Sequence, residues 1–374
     1  MTSQFSSKDA EFMQLALDLA KQGEFTATPN PAVGCVLVKN GQIIGKGFHA
    51  KAGEPHAEVM ALREAGENAR GATAYVTLEP CAHYGRTPPC AKGLVDAGVR
   101  NVIAAMCDPN PLVAGKGLGI LANAGIDSAV GLLKENAEEL NKGFLKRMRT
   151  GRPFVQLKLA MSIDGKTAMA NGESKWITGA QARADVQQYR AKASAILSTS
   201  QTVLADNPSL NVRWAELPQE VQSRYAEQHL RQPVRVILDS AHKVRSDFNL
   251  FLTDSPVWLA GKDKFHLNGF PASTEYLQLI PNEGESHLQA LMSELGKRQV
   301  NPLWVEAGAT LAGALIAENL VDELIIYMAP KLLGDQACDL CHLPNLTKLA
   351  DAPLWELQLC EPVGNDLKLI YIRK

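Results

Sequence analysis

Three potential metal ligands that lie far apart in the chain constrain how the first half of this sequence can fold. The motif His56-Ala57-Glu58 comes well before Cys81 and Cys90. One histidine and two cysteines make three of the four bonds of a tetrahedral zinc ion, and an open fourth position is typical of catalytic zinc. We therefore expect a fold that brings His56, Cys81 and Cys90 to one point.

The carboxylate next to this histidine indicates which reaction the metal serves. Glu58 lies two residues after His56 and supplies a proton carrier. Zinc lowers the pKa of a bound water, and the resulting hydroxide attacks a ring carbon that bears an amine. The glutamate then passes the proton to the ring and the departing amine. The leading hypothesis is a zinc-dependent hydrolytic deaminase in which Glu58 is catalytic.

The spacing of the two cysteines departs from the commonest deaminase signature. That signature has the form Cys-x-x-Cys, whereas eight residues separate Cys81 from Cys90. The insert contains His83 and Arg86, which we interpret as loop residues that shape the pocket without a defined role. Two unrelated buried cysteines are the alternative interpretation, and the order of the His-x-Glu and Pro-Cys motifs disfavours it.

Length and composition predict a two-domain globular protein. The chain has 374 residues, 46% of them hydrophobic and 21% charged, which exceeds one typical domain. A net charge of -2 gives no electrostatic reason to bind nucleic acid or an anionic membrane. We expect a cytoplasmic protein, because the first residues are polar and no apolar run reaches transmembrane length. The seven cysteines are then expected to be thiols and metal ligands.

Hydrophobic periodicity predicts an α/β domain in the first half. An apolar helical face from Phe12 to Ala20 ends at Gly23, and an Asn-Gly turn separates two β-rich runs, which is typical of a hairpin. Alternating helices and strands follow; the predicted segments are strands 33–38, 43–48, 72–78 and 102–106, and helices 56–65 and 117–123.

A second α/β pattern begins after the basic segment 142–152, which ends in Gly151-Arg152-Pro153. Glycine and proline at this position predict a domain boundary, so we expect domains over 1–150 and 151–374. The predicted segments of the second domain are strands 154–160, 195–198, 234–239, 257–260, 303–306 and 324–328, and helices 180–192 and 287–297.

Two segments of the second half suggest a nucleotide site. Trp304 to Ala314 reads as a strand, a turn of small residues and a helix start, where backbone amides favour phosphate. This stretch lacks the GxGxxG and P-loop patterns, and a tight turn without a ligand explains it equally well. Lys158 to Gly165 similarly places a lysine on a strand before a turn.

The motifs together resemble one enzyme family over essentially the whole chain. Segments 28–34, 53–58, 79–90 and 108–111 resemble the bifunctional deaminase/reductases of riboflavin biosynthesis, and the GRTPPC ending at Cys90 is more specific than His-x-Glu. The resemblance implies a cytidine-deaminase-like three-layer α/β/α first domain. It implies one zinc ion on His56, Cys81 and Cys90, Glu58 as proton shuttle, and Asn30 in the pyrimidine pocket.

The resemblance extends to the second half through segments 158–165, 202–208 and 304–314. It implies a dihydrofolate-reductase-like α/β fold that uses NADPH, with Lys158 and Asp206 as candidate catalytic or orienting groups. Implied cofactor contacts are Ala160, Trp176, Thr202, Asp206, Ser240, Gly308, Ala309, Thr310, Leu311, Ala312, Gly313 and Ala314. Implied substrate contacts are Ser174, Arg190, Leu210, Arg213 and Glu306.

The expected protein is therefore a bifunctional enzyme. Its first domain deaminates a phosphorylated diaminopyrimidinone ribosylamine, and its second reduces the ribosyl group with NADPH. We expect a small-molecule substrate, no nucleic-acid or membrane partner, and a homo-oligomer, a dimer or tetramer, because symmetric assembly is common.

Two alternatives remain open. One is a nucleoside or tRNA-base deaminase with an unrelated C-terminal domain; the other is a nucleic-acid-binding module in which zinc only holds the fold. The Cys338-Asp339-Leu340-Cys341-His342 run matches a haem-attachment pattern by accident, since no export signal accompanies it.

Overall fold

Two separate β-sheets organise the chain, one in each half. The structure is a computed structural model and describes residues 5–82, 88–110 and 113–373. The chain divides into two compact units, Met1–Gly151 and Arg152–Lys374. Within the described ranges, no helix has both the length and the apolar character needed to cross a membrane.

The first unit begins with a helix and a hairpin. Asn40 and Gly41 have φ angles of 52° and 74°, the left-handed turn that matches the twist of paired strands. The helices are α1 Ser7–Ala20, α2 Ala57–Ala65, α3 Cys90–Asp96, α4 Lys116–Asn123, α5 Lys134–Leu140 and α6 Lys142–Thr150. The strands are β1 Gly34–Lys39, β2 Gln42–Phe48, β3 Thr73–Val76, β4 Asn101–Ala104 and β5 Asp127–Val130.

Helices cover both faces of the first sheet. The strand order is β2-β1-β3-β4-β5, with β3, β4 and β5 parallel. A Cβ on Gly34 of β1 would lie 1.9 Å from the Ala16 carbonyl oxygen of α1, and one on Gly47 would meet Met60 of α2. Gly47 pairs with Cys35, the residue after Gly34, so α1 and α2 lie on opposite faces because successive strand residues alternate.

The second unit is built on a larger sheet. Its strands are β6 Phe154–Ser162, β7 Lys166–Ala168, β8 Ala195–Thr199, β9 Val234–Leu238, β10 Val257–Gly261, β11 Thr274–Gln278, β12 Pro302–Glu306, β13 Glu323–Ala329, β14 Cys338–Asp339, β15 Trp355–Val363 and β16 Asp366–Arg373. Its helices are α7 Ala180–Lys192, α8 Ser200–Asp206, α9 Gln219–Arg224, α10 His287–Lys297 and α11 Ala309–Ala317.

The order of the large sheet places several strand ends side by side. The order is β11-β10-β9-β8-β12-β6-β13-β16-β15, and the strands from β11 to β13 run parallel. The apolar side chains form two buried clusters, one around Leu157 and Leu303 and one around Ile196 and Trp304. Strands β7 and β14 pair separately as a short antiparallel ribbon.

The structure confirms the predicted segments and adds strands that the patterns missed. Helices 180–192 and 287–297 have the predicted bounds, and the other predicted segments match within a few residues. The patterns did not predict β5, β7, β11, β14, β15 and β16. Strands β5, β11 and β15 lie at sheet edges and are partly exposed, so their apolar signal is weak. Strands β7 and β14 have only three and two residues, and in β16 the buried Lys368 interrupts the apolar pattern.

Gly34 tests the close packing of α1 against β1. Because any side chain there meets the backbone of Ala16, we expect Gly34→Ala to destabilise the protein by about 1–3 kcal/mol. The matched control is Gly119→Ala in α4, where nothing lies within 4 Å and alanine favours a helix by up to about 1 kcal/mol. Unfolding in urea measures both; equal stability of the two variants would contradict the packing.

Candidate functional sites

The three predicted metal ligands meet in the first unit. His56 precedes α2 as its N-cap residue, Cys81 follows β3, and Cys90 begins α3. Nδ1 of His56 lies 3.6 Å from Sγ of Cys81 and 3.3 Å from Sγ of Cys90. The three ligand atoms all lie within 4.8 Å of one another. The sequence prediction that these residues converge therefore agrees with the geometry.

This donor set fits a zinc ion. A tetrahedral zinc bound by one imidazole nitrogen and one thiolate has a nitrogen–sulfur separation of about 3.6 Å, close to both observed distances. A hydrogen bond from the Cys90 thiol lowers the pKa of Cys81, and the imidazole of His56 adds to this, although burial acts in the other direction. The cluster thus favours a thiolate, the form of cysteine that binds a metal.

Glu58 is buried beside the cluster. Only 3% of its surface is exposed, and its carboxylate interacts with the Cys90 thiol. Burial raises the pKa of Glu58 to about 7, and the nearby thiolate of Cys81 adds to the rise; a bound cation would oppose both effects. A carboxylate that changes protonation near neutral pH is suited to proton transfer.

A histidine that the sequence prediction missed orients Asn30. Nδ2 of Asn30 lies 3.0 Å from Nε2 of His49, and Nδ1 of His49 lies 3.2 Å from the Pro55 carbonyl oxygen. A carbonyl only accepts, so His49 donates to Pro55 and accepts from Asn30. The ring of His49 also contacts that of His56 edge-on, with centroids 5.2 Å apart. His49 carries no sequence motif of its own, which is why pattern analysis passed over it.

Glu79 fixes the loop that follows β4. Its buried carboxylate accepts hydrogen bonds from the backbone N–H groups of Asp108, Gly115, Gly117 and Leu118, at 3.0–3.3 Å. Glu79 lies two residues before Cys81. The segment 79–81 therefore both carries a metal ligand and binds the backbone of the neighbouring loop. The predicted loop residues His83 and Arg86 lie outside the described residues.

The second unit contains a cavity of about 1040 Å³. Its lining includes most of the residues that the family resemblance implies. Those on the cavity wall are Lys158, Ala160, Ser174, Trp176, Arg190, Thr202, Asp206, Leu210, Arg213, Glu306, Gly308, Ala309, Thr310, Leu311 and Ala314. Strand ends and helix starts from several elements thus meet at one place.

Three of the implied cofactor residues do not line this cavity. Ser240 lies in an exposed turn directly after β9. Ala312 and Gly313 are buried in α11, and a Cβ on Gly313 would lie 1.9 Å from the His342 carbonyl oxygen. The 338–342 segment packs so closely on α11 that position 313 has no room for a side chain, which is one reason for a glycine there.

A largely buried ion pair lies at the end of β12, with 11% of the Arg190 side chain and 16% of the Glu306 side chain exposed. Arg190 donates from Nε and Nη2 to the two carboxylate oxygens of Glu306, at 2.6 and 2.8 Å. Nε1 of Trp304 donates to the same carboxylate at 2.8 Å. Burial alone raises the pKa of Glu306, but the charge and hydrogen bonds of Arg190 outweigh it and lower the pKa to about 2.

Lys158 brings a half-buried amine to the cavity wall. It lies opposite Glu306 in the pairing of β6 with β12. Burial lowers the pKa of Lys158, although the negative charge of Glu306 opposes this. Asp206 at the end of α8 lies 3.8 Å from the amine of Lys175. Lys158 and Asp206, the two candidate catalytic residues of this unit, both line the same cavity.

The Cys-x-x-Cys-His segment does not assemble a second metal site. Within the ranges that the structure describes, His56, Cys81 and Cys90 form the one cluster able to hold a metal ion. The segment instead covers the start of α11: the backbone N–H of His342 donates to the Ala309 carbonyl at 3.0 Å.

Comparisons with known families agree with both units. Residues 6–106 match the cytidine and deoxycytidylate deaminase zinc-binding region, and residues 153–369 match the RibD C-terminal domain. The riboflavin biosynthesis protein RibD of Haemophilus influenzae is 67% identical to this chain, with 99% of each covered. That of Escherichia coli is 55% identical, with 97% of this chain and 98% of the relative covered.

Solved structures have the same fold over the full length. RibD of Acinetobacter baumannii superposes with a TM-score of 0.91 at 46% identity, covering 98% of this chain and 99% of that one. A diaminohydroxyphosphoribosylaminopyrimidine deaminase/5-amino-6-(5-phosphoribosylamino)uracil reductase of Thermotoga maritima gives a TM-score of 0.86 at 32% identity, with the same coverage.

Fold and site thus define a zinc-binding deaminase domain of the cytidine-deaminase type, joined to a dihydrofolate-reductase-like reductase domain. The chain belongs to the RibD family, the bifunctional deaminase/reductases of riboflavin biosynthesis. The resemblance stated from the motifs is confirmed. The alternative of a deaminase with an unrelated C-terminal domain is not favoured, because the reductase family matches that half.

Zinc content tests the metal cluster. We expect Cys90→Ala to lose most bound zinc because it removes one of three ligands from the cluster. Cys107→Ala is the matched control, since Cys107 is an exposed free thiol of the same unit and is not part of the cluster. Elemental analysis after dialysis measures both; undiminished zinc in Cys90→Ala would show that the metal lies elsewhere.

Proposed function

We propose that the chain converts 2,5-diamino-6-(5-phosphoribosylamino)pyrimidin-4-one to 5-amino-6-(5-phosphoribosylamino)uracil, and then reduces the ribosyl group with NADPH. The observation that carries the proposal is the convergence of His56, Cys81 and Cys90 beside the buried Glu58. The Thermotoga relative named above bears the same two activities in its name. We assign the deaminase to residues 1–150 and the reductase to 151–374.

In the deaminase site, each chain residue has a distinct task. His56, Cys81 and Cys90 would hold one zinc ion, which would supply an acidified water as nucleophile. Glu58 transfers the two protons of that water, one to the ring nitrogen and one to the departing amine, so that ammonia leaves and a carbonyl remains. Asn30 donates from its side-chain nitrogen to His49, which orients the amide. Its side-chain oxygen can then accept a hydrogen bond from the pyrimidine.

In the reductase site, NADPH would supply a hydride to C1 of the ribosyl group. The bond between C1 and the ring oxygen breaks, and the ring oxygen takes up a proton, which leaves a ribitylamine. The lowered pKa of Lys158 makes its ammonium a better proton donor, so we assign it the proton that the opened sugar needs. Glu306 and Arg190 hold the sugar, and Asp206 and Thr202 of α8 lie on the wall assigned to the cofactor. Small side chains at Gly308 and Ala309 let the cofactor's phosphates approach the start of α11.

Glu58→Gln tests the proton shuttle. The amide keeps the size of the side chain but cannot cycle a proton, so ammonia release should fall by at least about 100-fold with zinc retained. Glu67→Gln is the control, because Glu67 is exposed and contacts none of the site residues. Full ammonia release by Glu58→Gln would remove this residue from the mechanism.

Lys158→Met tests the reductase site separately. Supplied with the deaminated intermediate, this variant should oxidise NADPH with a kcat lower by at least about 100-fold, because the methionine cannot donate a proton. Ammonia release by the same protein serves as the internal control and should be unchanged. A normal kcat for NADPH oxidation would refute the role given to Lys158.

A further inference from the structure

The start of α3 fixes the candidate metal ligand Cys81 from one side. The carbonyl oxygen of Cys81 accepts a hydrogen bond from the N–H of Ala91, and its sulfur accepts one from the N–H of Cys90, both at 3.2 Å. These bonds set Cys81 relative to the other thiol of the cluster. Its position relative to the rest of the unit depends on the two residues that precede it.

Glu79 caps a helix that lies far from it in the chain. Helix α4 begins after Gly115, which has no side chain to accept from the first N–H groups. The carboxylate of Glu79 takes this place: Oε1 accepts from Gly117 and Leu118, and Oε2 accepts from Gly115 and Asp108, at 3.0–3.3 Å. The first N–H groups of a helix need such acceptors, and the positive end of the helix dipole favours a carboxylate there.

Pro80 contacts the same helix directly. A Cβ on Gly117 would lie 1.9 Å from the Pro80 carbonyl oxygen and 3.2 Å from Oε1 of Glu79. Position 117 therefore has no room for a side chain while α4 keeps its place. Segment 79–81 thus contacts α4 through its first two residues and α3 through its third.

We propose that Glu79 is a positioning residue for the metal site, because it fixes segment 79–81 against α4 and so holds Cys81 where a zinc ion requires it. The assignment rests on the zinc site proposed above. Residues behind the ligands of a metal orient those ligands, and the loss of one typically lowers metal affinity by about 10- to 100-fold. Ligands that are already in place lose less conformational freedom when the ion binds, which raises the affinity.

The dissociation constant of the full chain for zinc tests this role in Glu79→Gln. Glutamine has the size of glutamate, but its NH2 group is a donor and would face N–H groups that also donate. Segment 79–81 should then lose part of its contact with α4. We expect the constant to rise about 10- to 100-fold, measured on metal-free protein by competition for zinc with a chromogenic chelator.

Tyr75→Phe is the control for a change in stability alone. The hydroxyl of Tyr75 donates to the carboxylate of Asp9 at 2.6 Å, so the variant loses a charge-assisted hydrogen bond of β3, the strand that leads to segment 79–81. Both this variant and Glu79→Gln should unfold at a lower urea concentration than the wild type when metal-free. Only Glu79→Gln should also bind zinc more weakly.

Two alanine variants of α4 test the same contact from the side of the helix. Gly117→Ala keeps the carboxylate but brings a methyl group against the Pro80 carbonyl oxygen, so it should also raise the dissociation constant for zinc. Gly119→Ala in the same helix meets nothing within 4 Å and should bind zinc like the wild type. This pair decides the question if Glu79→Gln does not fold.

The outcomes separate this proposal from the proposed function. If the wild type bound no zinc, the proposed deaminase site would fail together with the role of Glu79. If the wild type bound zinc and Glu79→Gln bound it equally well, only the role of Glu79 would be overturned. An unchanged dissociation constant with a raised KM for ammonia release would overturn it too, since Glu79 would then act on the loop after β4 and not on Cys81.

Discussion

Both sites depend on one constraint, the parallel arrangement of strands. Parallel strands end at the same edge of a sheet, so the residues after each strand meet there although they are distant in sequence. In the first unit, Cys81 and Glu79 follow β3, and the loop that Glu79 holds follows β4. In the second, the ends of β8 and β12 bring α8 and α11 to one cavity.

The carboxylates of the two sites are of two kinds, and this difference separates support from chemistry. Glu79 is satisfied by four backbone N–H groups, and Glu306 is held by Arg190 and Trp304. These partners fix a charge in place. At Glu58 burial is the largest effect, and it raises the pKa to about 7. A carboxylate that must move a proton needs a pKa near neutral pH, whereas one that positions a loop or a substrate does not.

The sequence predicted much of this arrangement, and what it missed has physical reasons. Glycine, proline and apolar periodicity marked the hairpin and the three longest helices, α1, α7 and α10, because those signals are local. The roles of His49 and Glu79 depend on contacts with Asn30, Pro55 and a loop after β4, which no local pattern encodes. Gly313 was implied as a cofactor contact, and the structure adds a packing reason for this glycine, its close approach to the His342 backbone, which no local pattern encodes.

The central claim is that one chain carries two consecutive reactions on one phosphorylated substrate. Purified protein, supplied with the diaminopyrimidinone ribosylamine phosphate and NADPH, tests it directly when ammonia and NADPH absorbance are followed together. We expect ammonia to appear first and NADPH to be consumed afterwards in equal amount; without NADPH, ammonia should still form and the deaminated intermediate should accumulate. NADPH consumption that precedes ammonia, or ammonia release without any NADPH consumption, would contradict the account.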